Sequence, residues 1–365
     1  MCGFAGFFNN YNLNEDKLKS MLKDLKHRGP DNCSIWKDDY ITIGHTRLKI
    51  IDLSNAANQP MVSSDKELII AFNGEIYNYE EIKTRLSNFS FSTRSDTEVI
   101  LKAYEKWGEN CVKYFDGMFS FVIWDRKNKK LFCARDKFGI KPFYYIFYKN
   151  SFIFSSEILP LTKIIKKKKN HKIILEYLKY DLIEHRNETF FEDIYKLEAG
   201  TCGYVYNGKI ASKKYWKIKT IKIPQKFEDR QEELDRILKH SVNQSLTSDV
   251  PIGVQLSGGL DSQILLNYLE KSKRKNNVLA TFSLIYPGSK FSEEQEIKKT
   301  LRESNIKKKY FIQYKIDNFL KDYKNIIDCQ QEPFAGLPII AYARSFKLAR
   351  NKNIIVHMDG SGLDE

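Results

Sequence analysis

The chain has 365 residues, 42% of them hydrophobic, which suits a globular protein and leaves room for two domains. A net charge of +14 invites a nucleic-acid partner, but the basic residues are mostly Lys spread along the whole chain, and Lys166, Lys167, Lys168 and Lys169 read as a solvated surface run, so nucleic-acid binding is set aside. The N-terminus lacks the basic lead of a signal peptide and no apolar run reaches the ~18 residues of a membrane span; the six cysteines form no Cys-x-x-Cys pair, so the reading is a cytoplasmic protein with reduced thiols, no zinc site and no membrane partner.

In chain order, Met1-Cys2-Gly3-Phe4-Ala5-Gly6-Phe7-Phe8 is a short apolar strand starting on a cysteine. Removal of Met1 would leave Cys2 with both a thiol and a free α-amine. With a pKa near ~8, that amine can act as the thiol's own general base. The plainer alternative is a small buried residue beside the starting Met. Residues 17–26 are expected to be helical, with Leu18, Met21, Leu22 and Leu25 on one face. His27-Arg28-Gly29-Pro30-Asp31 reads as a turn, and residues 43–53 as one strand. A strand over 68–72 runs into Asn73-Gly74-Glu75, where Asn-Gly fits a hairpin turn. Its functional alternative is an oxyanion hole made by the Asn73 side chain and the Gly74 N–H. Ser95 and Asp96 open a helix carrying Val99, Ile100, Ala103, Tyr104 and Trp107, and Asp96 is also placed to reach a ligand ammonium. Residues 117–125 and 131–136 form the next hairpin.

Residues 221–227, carrying Pro224, read as a linker, and a helix over 230–246 opens the second half. An apolar strand over 250–256 then meets Ser257-Gly258-Gly259-Leu260-Asp261-Ser262 and a helix over 263–269. A strand, a Gly/Ser turn and a helix N-terminus together aim backbone N–H groups at an anion. Ser257 and Ser262 can donate to phosphate oxygens, and Asp261 suits a Mg²⁺ held against a phosphate. A capped helix N-terminus is the plainer alternative. The G-x-x-x-x-G-K-[ST] pattern is absent. Strands over 279–286, 309–313 and 354–358 alternate with helices over 293–303, 319–327 and 339–350. That alternation implies a parallel sheet with its ligands at the strand C-termini, where Asp261 and Asp364 both fall.

These motifs, collinear from Cys2 to about Trp216 and continuing through the Ser257 loop to the last residue, resemble the glutamine-hydrolysing asparagine synthetases. The resemblance implies an N-terminal-nucleophile hydrolase αββα sandwich of the class II glutamine amidotransferase type over 2–216. A linker over 217–228 and an ATP-pyrophosphatase parallel-sheet domain over 229–365 follow. It further implies that Cys2 attacks the glutamine side-chain amide. Arg47 then binds the α-carboxylate, Glu75 and Asp96 hold the α-ammonium, and Leu48, Ile50, Ile51, Asn73 and Gly74 complete the glutamine set. A guanidinium fork suits a carboxylate, and carboxylates suit an ammonium. On the nucleotide side it implies ATP as substrate. Leu256, Leu284 and the Asp359-Gly360 turn form the adenine pocket, Ser257, Gly258, Gly259 and Ser262 face the phosphates, and Asp261 and Asp364 share Mg²⁺.

The expected reaction is ATP-dependent amide synthesis on aspartate, through an acyl-adenylate and ammonia released from glutamine; a homodimer is compatible with it. Ser361 stands where the family often carries an acidic residue assigned to the activated carboxylate, and Gln331 to Pro338 departs from the commoner form. Both features bring in another small carboxylate, such as a uronic acid, as the alternative acceptor. Related β-lactam synthetases typically lack the nucleophilic Cys, so Cys2 argues against them. The family normally continues past the position of Glu365 into a helix and a catalytic Lys. The expectation is therefore a fragment or split gene, with a glutaminase-only subunit as a further alternative.

Overall fold

The computed structural model describes the chain apart from residues 10–12, 207, 273–276, 315–318, 335, 337 and 363–365. It divides into two compact units, the first covering Met1–Lys219 and Gln330–Pro333, the second Thr220–Cys329 and Phe334–Glu365.

The first unit runs β1 (Gly3–Phe8), α1 (Glu15–Asp24), β2 (Asn32–Lys37), β3 (Ile41–Arg47), β4 (Met61–Val62), β5 (Leu68–Ile76), α2 (Tyr79–Arg85) and α3 (Asp96–Trp107). It continues through β6 (Gly117–Asp125), β7 (Lys130–Arg135), β8 (Tyr144–Tyr148), β9 (Ser151–Ser155), α4 (Ile158–Leu161), α5 (His171–Tyr180), β10 (Tyr195–Lys196), β11 (Thr201–Tyr206) and β12 (Lys209–Lys214). Its strands form two six-stranded sheets, ordered β10-β8-β9-β1-β3-β2 and β12-β11-β7-β6-β5-β4, with every pairing antiparallel.

Side chains alternate between faces along each strand, so each sheet buries both. Phe4, Phe8, Ile41, Ile43, Phe152 and Phe154 of the first sheet meet Ile69, Ala71, Val122, Trp124, Leu131 and Cys133 of the second. The opposite residues of β5 and β6, including Ile70, Phe72, Phe121 and Ile123, pack on Val99, Ile100 and Ala103 of α3. Ala5 and Phe7 pack on Leu18, Met21 and Leu22 of α1. The product is the αββα layering of an N-terminal-nucleophile hydrolase. Ser95 caps α3 by accepting from Thr97 N at 3.0 Å.

The second unit runs α6 (Phe227–Ser245), β13 (Ile252–Gln255), α7 (Leu260–Lys271), β14 (Val278–Ile285), α8 (Glu294–Glu303), β15 (Lys308–Gln313), α9 (Phe319–Gln330), α10 (Pro338–Asn351) and β16 (Val356–Met358). Its sheet is wholly parallel, in the order β15-β14-β13-β16. Val254, Leu256 and Ile285 face Leu265, Leu266 and Leu269 of α7 on one side. Ala280 and Phe282 face Ala349 of α10 on the other. This is the doubly covered parallel sheet of an ATP-pyrophosphatase domain. No described helix is long and apolar enough to cross a membrane.

Two sequence expectations change. The strand expected over 43–53 ends at Arg47, because the Arg47 guanidinium gathers the carbonyls of Ile51, Asp52 and Ser54 and curls the chain, with Asp52 at φ 53°. The Asn73-Gly74 pair is no hairpin turn: β5 runs through it, with Asn73 opposite Ser120 and Gly74 opposite Phe119.

Candidate active sites

At one end of the sandwich, three inward-facing apolar rows turn polar. On β1 the row of Phe8 and Phe4 reaches Cys2. On β3 the row of Ile41 and Ile43 reaches His45 and Arg47, and on β5 that of Ile69 and Ala71 reaches Asn73 and Glu75. Antiparallel pairing of Gly3 with Thr46 sets Cys2 beside the Arg47 end of β3.

The Cys2 Sγ lies 3.4 Å from the Leu48 N–H that donates to it and 3.7 Å from the Leu48 carbonyl. Burial raises the thiol pKa above its ordinary value, against the opposing pull of the chain's N-terminal group, the Leu48 N–H and Arg47. A thiol so placed needs a base to become the attacking thiolate. While Met1 is attached, the Cys2 nitrogen is a peptide nitrogen and supplies none. The Met1 amine has its pKa lowered to about 5 by burial, with Arg28 and Lys141 adding to the fall.

Asn73 is fully buried, and neither its Oδ1 nor its Nδ2 meets a hydrogen-bond partner among the described residues. A buried amide with both ends unpaired is costly and marks a place for a ligand. The neighbouring N–H follows from strand parity. Opposite Gly74, Phe119 spends both backbone groups on Asp136: Asp136 N donates to its carbonyl at 2.8 Å and its own N–H reaches Asp136 Oδ2 at 3.1 Å. Gly74 therefore points away from β6, toward the edge where β4, paired only with Ile69 and Ile70, has already ended. Its neighbours of the same parity find side chains there. Phe72 N donates to Gln59 Oε1 at 2.7 Å, and Ile76 N to Asp96 Oδ2 at 3.0 Å. The Gly74 N–H finds none among the described residues, which leaves two adjacent donors for an oxyanion. Gly is required at this position: a Cβ would stand 2.7 Å from Phe119 Cα and collide with the Met118 carbonyl.

Glu75 and Asp96 are both buried. Burial raises the Glu75 pKa, against the pull of Lys141. Burial likewise raises Asp96 to about 6, opposed by the N–H groups of Ile76 and Thr97 and by Arg47. Two buried carboxylates held toward neutrality stand ready to accept a cation. The Arg47 guanidinium also donates from Nη1 to Ser54 O at 2.7 Å and to Asn58 Oδ1 at 2.8 Å. It thus shapes the loop that carries Leu48, Ile50 and Ile51.

Three groups escaped the sequence reading. Arg28 donates from Nε to the Cys2 carbonyl at 2.8 Å and from Nη1 to Glu157 at 2.8 Å, so the turn at 27–31 fixes the nucleophile's backbone. Lys141, 3% exposed, donates to Met1 Sδ at 2.7 Å. His45 is fully buried with its Nε2 3.0 Å from the Phe72 carbonyl. No spacing rule points to Lys141, which lies far along the chain. His45 carried a signal, a lone histidine in an apolar strand.

In the second unit, the Ser257 loop leaves β13 and enters α7, which begins at Leu260 rather than Gln263, so the expected turn is shorter and Asp261 and Ser262 lie in the helix's first turn. Leu256 N donates to Phe282 O at 2.8 Å. Ser257 and Ser262 turn inward: their hydroxyls bond each other at 3.0 Å, Ser262 Oγ takes Ser257 N at 3.1 Å, and Ser257 Oγ takes Gly259 N at 3.1 Å. The Gly258 N–H reaches a carboxylate, Glu293 Oε2, at 2.8 Å. Leu284 lies past the end of β13, on the same C-terminal edge as Leu256. The Asp359-Gly360 turn sits against the start of α7, since a Cβ on Gly360 would stand 2.9 Å from Ser262 N. Asp364 lies outside the described residues. Among the described residues no cluster of three or more His, Cys, Asp or Glu could hold a metal ion. Asp261 lies in the first turn of α7 and offers one carboxylate, a donor type that suits Mg²⁺.

A glutamine amidotransferase domain family matches residues 1–216, and the asparagine synthase family matches residues 233–365. The chain is 35% identical to a putative glutamine-hydrolysing asparagine synthetase 2 of Methanocaldococcus jannaschii, over all of this chain and 75% of that protein. It is 33% and 32% identical to the glutamine-hydrolysing asparagine synthetases 1 and 2 of Bacillus subtilis, again over its whole length but over 58% and 52% of theirs. By both domains and by these relatives, the chain belongs to the glutamine-hydrolysing asparagine synthetase family.

Proposed function

We propose that the first unit hydrolyses glutamine at Cys2 and that the second activates a carboxylate with ATP for amidation by the ammonia released. The observation that carries the first half is the buried Asn73 amide, which has no partner at either end among the described residues, beside the Gly74 N–H, which likewise finds none among them. Once Met1 is removed, the Cys2 α-amine takes the thiol proton and Sγ attacks the side-chain amide carbon of glutamine. The oxygen becomes an oxyanion held by Asn73 Nδ2 and Gly74 N–H. The amine returns its proton to the leaving nitrogen, ammonia departs, and water hydrolyses the γ-glutamyl thioester to glutamate. Glu75 and Asp96 take the substrate ammonium. Arg47, whose Nη groups are held by Ile51, Asp52, Ser54 and Asn58 in this structure, takes the α-carboxylate by exchanging some of these bonds, across the loop bearing Leu48, Ile50 and Ile51.

In the second unit, the carboxylate oxygen displaces pyrophosphate from the α-phosphorus of ATP. Ammonia then attacks the acyl carbon, and AMP leaves with the bond's electron pair. The Ser257–Gly259 loop and the first turn of α7 would take the phosphates, exchanging the Ser257–Ser262 and Gly258–Glu293 bonds for bonds to them. Leu256, Leu284 and the Asp359-Gly360 turn would take the adenine, and Asp261, with Asp364, would hold Mg²⁺. The two activities divide at a linker over 217–228. Aspartate is the first acceptor. Ser361 supplies no negative charge for an amino-acid substrate, and this favours a test of other small carboxylates such as uronic acids.

The experiment measures glutamate release and AMP release side by side, with glutamine or ammonia and a panel of carboxylates. Cys2→Ala should abolish glutamate release while leaving ammonia-driven AMP release intact. Glutamate release at the parent rate from Cys2→Ala would overturn the reading.

A further inference from the structure

We propose that His45 is a positioning residue for glutamine hydrolysis, a role that rests on the reading of the Cys2 site above: its ring N–H pins the Phe72 carbonyl and so sets the Asn73–Gly74 donor pair. The Phe72 residue is held from both sides. Its N–H goes to Gln59 Oε1 at 2.7 Å and its carbonyl takes His45 Nε2 at 3.0 Å. Gln59 is itself anchored, donating from Nε2 to Thr97 Oγ1 at 3.2 Å. Gln59 and His45 therefore do for Phe72 what an edge strand would do, at the point where β4 has ended. The grip from His45 crosses between sheets, since His45 belongs to β3 and Phe72 to β5.

The chemistry of the ring fits a fixed donor. His45 is fully buried, and burial lowers its pKa to about 4, so it is neutral at physiological pH. A carbonyl accepts only, which places the single ring proton on Nε2. Nδ1 is then a bare acceptor with no partner among the described residues. A histidine kept merely to fill the core would be satisfied at both nitrogens or replaced by a hydrocarbon continuing the row of Ile41 and Ile43. What the ring contributes here is one bond, to one carbonyl.

That carbonyl belongs to the same peptide unit as the Asn73 nitrogen. Rotation of this peptide would swing the Asn73 side chain and tilt the Gly74 N–H that follows it. An oxyanion hole acts only if its donors are set before charge develops. Loss of the pin should therefore appear in kcat, with glutamine affinity, set by Arg47, Glu75 and Asp96, left nearly unchanged.

The test uses the full-length chain with Met1 removed, assaying glutamate release and, separately, the rate of Cys2 alkylation by iodoacetamide, which needs no oxyanion hole. His45→Phe keeps the ring and loses the donor. His45→Gln returns a donor near the Nε2 position, and His45→Asn places one too short to reach. The expected result is a kcat lower by roughly 10- to 100-fold in His45→Phe and His45→Asn. The glutamine KM should stay within about 2-fold, the alkylation rate should be unchanged, and His45→Gln should restore most of the kcat. If His45→Phe does not fold, the contrast between His45→Asn and His45→Gln carries the same test. Parent-like kcat in the variants lacking the donor overturns the proposal, as does a loss that alkylation follows and Gln fails to rescue. Cys2→Ala runs beside them: if it still turns over glutamine, the underlying site reading fails, whatever His45 does.

Discussion

Among individual residues, Asn73 and Asp96 make the sharpest commitments. Asn73→Ala removes one of two oxyanion donors and should lower the glutaminase kcat by ~100- to 1000-fold with little change in KM, as measured by glutamate release. Asp96 is raised to about 6 by burial, so lowering the pH toward and below 6 neutralises the carboxylate proposed to hold the substrate ammonium. The glutamine KM should therefore rise as pH falls from 8 to 5.5, and Asp96→Asn should show a high KM with that pH dependence weakened. A flat KM profile in the parent protein would remove Asp96 from ammonium binding. Cys2, Asn73 and Asp96 could be singled out in the sequence, but local context left each with a plainer alternative (a small buried residue, a hairpin turn, a helix cap), and it was the family resemblance that gave Cys2 and Asp96 their proposed roles. Lys141 and Arg28 could not, since each acts across a long chain separation that only folding closes.

Among elements, β5 matters most, and there the sequence was ambiguous. Asn73-Gly74 satisfies the local rule for a hairpin turn, and only pairing with β6 shows the strand continuing through it. Local propensity lost to the register of nine consecutive cross-strand pairs, from Leu68–Asp125 to Ile76–Gly117. The same register makes Gly74 irreplaceable. Gly74→Ala forces a Cβ to within 2.7 Å of Phe119 Cα and should cost at least about 1–3 kcal/mol in denaturant unfolding, together with glutaminase activity. Wild-type stability in that variant would mean that β5 and β6 do not approach as described. Residues 48–53 misled for a related reason: their apolar pattern suits a strand, but the Arg47 side chain competes for the backbone carbonyls and wins. The strand and helix alternation of the second unit was legible because short apolar runs, such as the one before Ser257, alternate with longer amphipathic helices such as α8.

At the scale of the whole molecule, two units with separate cores carry the two proposed chemistries, so a substitution in one should spare the other. Asp261→Asn should cripple AMP release and leave glutamate release within about 2-fold, since the sites share no residue. Equal loss of both would indicate global damage. The central claim is that Cys2 becomes a nucleophile through its own freed α-amine. The most direct measurement compares glutamate release from three preparations of the chain: Met1 removed, Met1 retained, and Cys2→Ala. The account predicts turnover only from the first, with an acid-trapped γ-glutamyl adduct on the N-terminal peptide that begins at Cys2. Comparable turnover with Met1 still attached, or from Cys2→Ala, would contradict it.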